Sequence, residues 1–578
     1  MLFRDFTCFL EEIEQTDSRL KITELLAQLF AKTNSQEIEQ TCYLLQGRVG
    51  PQYEKLEFGL AERLVIKAMI NSFSLNSKQA RQYYKKVGDL GRVVEDYRKN
   101  TQMLFQETKK LSISEVFAQL ARLSQLKGKG SQEEKLSIVS GLLQQLDSLS
   151  NRYVVRIIVG NLRLGFSEMT ILDALSWLIK GDKSLRSKIE KAFNVYPDLG
   201  YIAKTLKTKG IEVIEQIKPV VGVPILMAKA ERVTAPVDII EKLGQAAIEP
   251  KYDGFRLQIH YQKSSNQIKI FSRKLDEVSY MFPDLVKAMK KEIKAQEIII
   301  EGEAVGYNPK TKKMLPFQEI VQRKRKYDIE AKTREIPLKL FAFDLLFVNQ
   351  TSYLDKPYTE RRKKLKQILK PNNQIILLAE EELVKEEKRI AEIFTESINQ
   401  GLEGIMAKKL TGKYQAGARD WNWIKFKHSY SSKLMDTFDC LVMGYDYGKG
   451  KRTGFGLGAF LVGIYDQQKD RYVTIAKIGT GLTDKEWRKL KGKSQKLKAK
   501  IKPKDYLVNK AQECDVWLNP EIVVEIRADE ITKSPIHTAK LALRFPRLEN
   551  FRDDKKPNQT TSLKELQQIY QKQYNSHN

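Results

Sequence analysis

Cysteine and histidine are scarce in this chain, with four of each. Cys8, Cys42, Cys440 and Cys514 are scattered, with no C-x-x-C pair, which excludes a cysteine-based zinc module and a disulfide framework. They read as reduced thiols of an intracellular protein. Acidic residues are also in deficit: 72 Asp and Glu face 100 Lys and Arg, a formal net charge of +28. Such an excess points to a polyanionic partner, nucleic acid ahead of membrane, with lysines that serve solubility alone as the alternative. No apolar run is long enough to span a bilayer. The opening Met1–Asp5 soon meets Glu11, Glu12 and Glu14, unlike a signal peptide. Repeats and low-complexity arrays are missing too. The expectation is a soluble intracellular protein (cytoplasmic or nucleoid, nuclear in a eukaryote) without a membrane partner.

What is present is ample material for cores. At 578 residues and 42% hydrophobic content, the chain should form about three or four domains. Residues 1 to 218 read as helical. Leu25, Leu26, Leu29 and Phe30 mark one apolar face behind the helix start Asp17-Ser18, and a further helix is predicted over Arg152–Val159. Then comes the turn Gly160–Gly165 carrying Arg163, with Ser167 as a cap for a helix through Leu175. Pro219-Val220-Val221-Gly222-Val223-Pro224 has the composition of a linker. From 219 to 430, strands at 268–271, 298–300 and 338–346 and a helix at 385–399 predict an α+β body. From 431 to 578, strands at 438–445, 459–465, 472–478 and 522–531, with one lysine-rich helix inserted before the last, suit an all-β OB-fold barrel.

The chemistry concentrates in Glu249-Pro250-Lys251-Tyr252-Asp253-Gly254-Phe255-Arg256. A lysine amine attacks phosphorus only when unprotonated. Gly254 lets backbone approach a ligand closely, and Arg256 offers a planar fork to phosphate. By itself Lys-x-Asp-Gly is a weak signal, because a solvated lysine in a surface turn has the same letters. Seven more segments follow in order: Ser272-Arg273, Glu301-Gly302-Glu303, Phe341–Asp344, Glu403–Lys408, Trp423–Lys427, Arg544–Arg547 and Arg552–Lys555. Lys425 and Lys427 alternate with Ile424 and Phe426, so a strand would put both ammonium groups on one face.

Together these eight segments resemble the ordered motif set of the covalent nucleotidyltransferases, most closely the ATP-dependent DNA ligases of archaeal and eukaryotic replicative type. The resemblance covers nearly the whole chain. It implies a helical DNA-binding domain (1–218), an adenylation domain (219–430) and an OB-fold domain (431–578). It also implies ATP and Mg²⁺ as cofactors, with Mn²⁺ as a substitute, and sealing of 5′-phosphate, 3′-hydroxyl nicks through a lysyl-AMP and a DNA-adenylate. Replication, repair and recombination are the settings that go with that activity. Lys251 is then the nucleophile, Glu249 the acid at the adenine end, and Phe343 the ring against the purine. From the residues alone, Phe343 reads first as strand core.

The resemblance further gives Arg256 and Arg273 contacts to ribose and phosphates, and Lys408, Lys425 and Lys427 contacts to phosphates. Glu303 and Glu403 become the Mg²⁺ carboxylates, with Glu301 the weaker choice. Asp253 orients the site or the 3′ end. Arg552, Asp554 and Lys555 orient the leaving pyrophosphate. That role predicts that truncation after about residue 430 sharply reduces self-adenylylation, read as label from α-labelled ATP; full retention would argue against it.

Arg163, in a segment resembling the family's DNA-binding turns, and Lys449, Lys451 and Arg452 are expected on the DNA backbone. The lysines between 491 and 504 are either a solvated helix face or further backbone contacts. His260 and His428 read as cleft-edge or surface residues rather than ligands. Nicked duplex DNA is the expected partner of a monomer. A sliding clamp is a further candidate partner, although no convincing clamp-binding motif is visible.

An RNA-capping guanylyltransferase or an RNA ligase shares the lysine motif but lacks the long helical N-terminal region. A non-catalytic DNA-binding scaffold on the same fold would be expected to have lost motif residues, and none is missing. The scattered cysteines also set the chain apart from bacterial NAD-dependent ligases, which carry a four-cysteine zinc module.

Overall fold

The computed structural model describes residues 1–100, 108–128, 130–311, 313–315, 317–323, 328–427, 437–448 and 456–575. Its chain divides into two compact units, Met1–Phe426 and Lys427–Asn578.

The first unit begins with helices, from Phe3–Glu14 through Ile211–Glu215. Their starts are written in side chains. Ser18 accepts from the Lys21 N–H, Asn34 and Glu37 form a capping box, and Asp147 accepts from the amides of Leu149 and Ser150. That last cap places the predicted Arg152–Val159 helix at Ser148–Ile158. Ser167 stands at the N-cap of Glu168–Lys180 without a side-chain capping bond. Arg152 and Arg156 turn inward rather than to solvent. The Arg156 guanidinium, 1% exposed, meets Glu14 at 2.7 Å and Asp89 at 2.6 Å. Burial alone would raise the Glu14 carboxyl; the Arg156 pairing overrides it and holds Glu14 down at about 2.

The predicted linker packs in part instead of spanning solvent: Pro219, Gly222 and Pro224 are buried, and so is Ile225 just beyond it. Beyond it lie two sheets. One has the order β1 (Lys229–Arg232), β11 (Arg419–Lys427), β10 (Gly404–Lys409), β2 (Ala246–Pro250) and β9 (Glu382–Val384). The other runs β4 (Gln267–Ser272), β3 (Phe255–Gln262), β5 (Glu297–Gly306), β6 (Leu338–Val348) and β7 (Thr351–Ser352), with β8 (Ile376–Leu378) also on β6. Helices Pro236–Leu243 and Glu387–Asn399 cover the first sheet through Ile239, Leu243, Ile390 and Ile393. Apolar side chains from both, including Trp423, Ile299 and Leu346, share one cluster with the loop residue Tyr414 that joins the sheets. Within the same unit, Tyr53 of the helical region packs on Phe271 and Leu275.

The second unit is strand-rich around its own core. Its eight-stranded sheet includes Thr437–Asp446, Ala459–Asp466 and Arg471–Ile478 as neighbours. The run predicted as one strand over 522–531 is two, Val523–Arg527 and Glu530–Lys533, broken at Ala528-Asp529. Two helices are described here rather than one, Asp484–Gln495 and Leu563–Asn575. The lysines from 491 to 504 do not form one helical face. The helix stops at Gln495, and Lys498 begins a short strand. Lysines at 496, 498, 500, 502 and 504 repeat every second residue, a strand spacing rather than a helical one.

Candidate active site

Backbone pairing brings the lysine and the acid together. β2 and β10 run antiparallel with Glu249 opposite Met406 and Pro250 opposite Ile405. The next pair continues the ladder: the Lys251 N–H donates to Gly404 O at 2.8 Å, and the Glu403 N–H to Lys251 O at 3.2 Å. The Lys251 ammonium then reaches Glu403 Oε2 at 2.5 Å. Tyr252 points the other way and stacks on Phe341, ring centroids 4.1 Å apart, which anchors the loop. At Gly254 a Cβ would lie 2.4 Å from Ala304 O, so only glycine lets the loop pass over β5.

Across the cleft, β3 and β5 set Arg256 opposite Glu303. Burial, chiefly, lifts the Glu303 carboxyl to about 7; Lys251 and Arg256 pull it down, while Glu403 and Asp253 push it up. Glu303, Glu403 and Asp253 thus form a carboxylate group beside the lysine. Among the described residues no set of three or more His, Cys, Asp and Glu side chains is placed to hold a metal ion. A site of two carboxylates completed by water and substrate phosphates is what Mg²⁺ ordinarily takes, and the raised Glu303 is the group a cation would relieve.

Glu249 is buried beneath. It accepts from Tyr358 Oη at 2.7 Å and pairs with Lys408 Nζ at 2.7 Å. Lys408, 1% exposed, also donates to Phe343 O at 3.0 Å. Its ammonium lies 4.8 Å from the ring centres of Phe343 and Trp423 and 5.0 Å from that of Tyr358. Burial lowers the Lys408 pKa, and Glu249 opposes that. Phe343 is only half-buried and meets Trp423 edge-on, so the ring belongs to the core yet stays partly open.

The remaining expected residues distribute as follows. Lys425 is half-buried on β11 between buried Ile424 and Phe426, as the alternation predicts, and Lys427 ends the strand. Arg273 is exposed after β4 and lines a hollow with Arg48 and Gln52. Arg163, at φ 59°, donates to Gly88 O at 2.6 Å and lies 3.8 Å from Asp89. In the second unit, Arg552 holds Asp554 at 2.7 Å and Asp439 at 3.0 Å, and Lys555 pairs with Asp439 too. Lys449, Lys451, Arg452 and His428 lie outside the described residues.

His260 corrects the sequence reading. It is fully buried, not at a cleft edge, because it lies on the inner face of β3 against the linker. Burial, helped by Lys269, holds it down at about 3, whereas an unfolded histidine titrates near 6.5. Between those values the unfolded chain takes up a proton that the folded chain refuses. The His260 contribution to stability is therefore fully present above pH ~6.5 and declines by about 1.4 kcal/mol per pH unit below it, toward pH ~3. Urea unfolding of wild type and His260→Gln across this range measures the effect, and the variant should show a shallower acid limb. Other groups that sequence reasoning missed are Tyr358, Trp423, Tyr414, Gln258 and Arg361. They lie outside the quoted motifs or within them as apparent fillers.

A half-buried lysine held by a carboxylate, beside an acid group and an arginine, is an arrangement that suits a nucleotide-binding protein. Comparison with known proteins narrows that class. Residues 227–427 match a family profile described as ATP dependent DNA ligase domain, 2–176 one described as DNA ligase N terminus, and 453–555 one described as ATP dependent DNA ligase C terminal region. A probable DNA ligase of Dictyoglomus thermophilum is 45% identical, covering 99% of this chain and 98% of its own. DNA ligase 2 of Thermofilum pendens is 40% identical, covering 98% and 96%. A solved structure titled Pmar-Lig_PreS3 shares the fold at TM-score 0.57 and 17% identity, covering 95% of this chain and 99% of its own. The chain belongs to the ATP-dependent DNA ligase family. Among the described residues, no helix is long and apolar enough to cross a membrane.

Proposed function

We propose that this ligase seals 5′-phosphate, 3′-hydroxyl nicks in duplex DNA, with Lys251 as the group that carries AMP. The observation that carries this reading is the Lys251–Glu403 contact of 2.5 Å in a cleft also shared by Glu303 and Arg256. Unprotonated Lys251 Nζ forms a bond to the α-phosphorus of ATP, and the bond to pyrophosphate breaks. A 5′-phosphate oxygen of DNA then takes the AMP and releases the lysine. Finally the 3′-hydroxyl attacks the 5′-phosphorus and AMP leaves.

Arg256 contacts ribose and phosphates: its Nε is buried with no hydrogen-bond partner in the described structure, a spare donor for ligand. Phe343 walls the purine and Glu249 closes the adenine end, its position stabilised by Lys408 and Tyr358. Lys425 faces the phosphates, with Arg273 a further contact, and Asp253 orients the 3′ end. Glu303 and Glu403 would hold Mg²⁺, which supplies counter-charge for the phosphates. Arg163 and the segment around Lys449, Lys451 and Arg452 meet the DNA backbone.

The test is conversion of a nicked duplex to a sealed strand with Mg²⁺, comparing ATP with GTP and a DNA nick with an all-RNA nick. Sealing of the DNA nick with ATP alone is expected. Labelling by GTP without sealing would favour a capping-type guanylyltransferase.

A further inference from the structure

Three residues of β3 share one face because side chains alternate along a strand: Arg256, Gln258 and His260. Each meets the segment that leaves the helical region, at every third residue. Gly222 N–H donates to His260 Nδ1 at 3.1 Å. Ile225 N–H donates to Gln258 Oε1 at 2.7 Å, and Gln258 Nε2 returns a bond to Ile225 O at 3.1 Å. Arg256 Nη1 donates to Ala228 O at 2.7 Å, while the Ala228 N–H donates to Tyr414 Oη at 3.0 Å. Gly222 has φ 99°, so this backbone path also demands a glycine.

The same side chains are bonded to one another. Since His260 Nδ1 accepts, its Nε2 carries the proton and donates to Gln258 Oε1 at 2.9 Å. Gln258 Nε2 donates to Glu301 Oε1 at 3.1 Å, and Arg256 Nη2 reaches Glu301 Oε2 at 2.7 Å. Gln258, His260 and Glu301 are all fully buried. The Gln258 amide therefore uses both donors and both acceptor sites, and it has one orientation only. It fixes the segment beyond the helical region on one side and, through Glu301, the arginine on the other. Both terminal nitrogens of Arg256 are committed, and its buried Nε lacks a partner among the described residues.

We propose that Gln258 and His260 are positioning residues that clamp the linker Gly222–Ala228 to β3 and so hold Arg256 in the geometry that receives the nucleotide. This rests on the reading of Arg256 as a nucleotide contact. It makes the exit of the helical region part of the ATP site, so linker and nucleotide stabilise each other reciprocally.

The experiment is single-turnover self-adenylylation of the full-length protein with Mg²⁺ and α-labelled ATP over a range of concentrations. Wild type, Gln258→Met, Arg256→Ala and the double variant are compared. Gln258→Met is expected to raise the half-saturating ATP concentration about tenfold and leave the maximal rate within about twofold. On the Arg256→Ala background it should add almost nothing, since one residue acts through the other. An unchanged half-saturating concentration, or two independent effects that multiply, would overturn the proposal. A second measurement needs no variant: hydrogen exchange at the Gly222 and Ile225 amides of wild type should slow when nucleotide binds, and unchanged exchange would overturn it as well. Wild type that takes no label overturns the nucleotide reading and this inference with it. Labelled wild type beside an unresponsive Gln258→Met overturns this inference alone.

Discussion

Incubated with Mg²⁺ and α-labelled ATP, wild-type protein is expected to carry label that survives denaturation, and Lys251→Ala to carry none. The loss should be at least about 10³-fold, the scale of deleting a nucleophile whose work no neighbour can take over. Lys408 cannot substitute, because its ammonium is buried against Glu249 and three aromatic rings. The variant should still bind nicked DNA and should close a nick already carrying AMP on its 5′-phosphate, since that last step uses no lysyl bond. Label on Lys251→Ala at the wild-type level would remove Lys251 from the reaction. Absence of label on both, from folded protein free of bound AMP, would count against ATP as the donor.

The second large effect is on stability. Asp344→Ala should destabilise the first unit by about 3–5 kcal/mol, measured by urea unfolding. Asp344 and Arg361 are both fully buried, with Arg361 Nε 2.7 Å from Oδ1 and Nη2 3.0 Å from Oδ2. The remaining Arg361 donor reaches Lys356 O and Gly412 O at 2.7 and 2.8 Å. Removing the carboxylate leaves a guanidinium in the core without counter-charge, and desolvation makes that expensive. Asp344 adjoins Phe343, so the same change should also loosen the ring proposed to face the purine. A loss below about 1 kcal/mol would mean that water or a neighbouring carboxylate takes over the pairing.

The motif order was legible through its resemblance to a known family, and some segments add local cues. Lys251-Tyr252-Asp253-Gly254 sits where a strand ends, and the alternation Ile424, Lys425, Phe426, Lys427 reproduces itself as buried and half-buried positions. Phe343 shows why the same cues leave two readings open: on its strand it borders both core and cleft. Helix starts were legible at Ser18, whose side chain caps its helix, and at Ser167, whose side chain does not, while the Asp147 cap went unread. The lysines after 491 misled because composition was read without its period, which is two beyond residue 496.

By itself, then, the sequence determined the candidate site residues, the basic character that suits DNA, and the order of helical, mixed and strand-rich regions. Tertiary structure decided who pairs with whom. Glu249 meets Lys408 across 159 positions, Asp344 meets Arg361, and His260 and Gln258 meet the linker. The physical reason is range. Periodicity, caps and turns act over a few residues and leave their mark in the string, whereas the partner of a buried charge is chosen by strand register and by the need to leave no buried polar group unpaired.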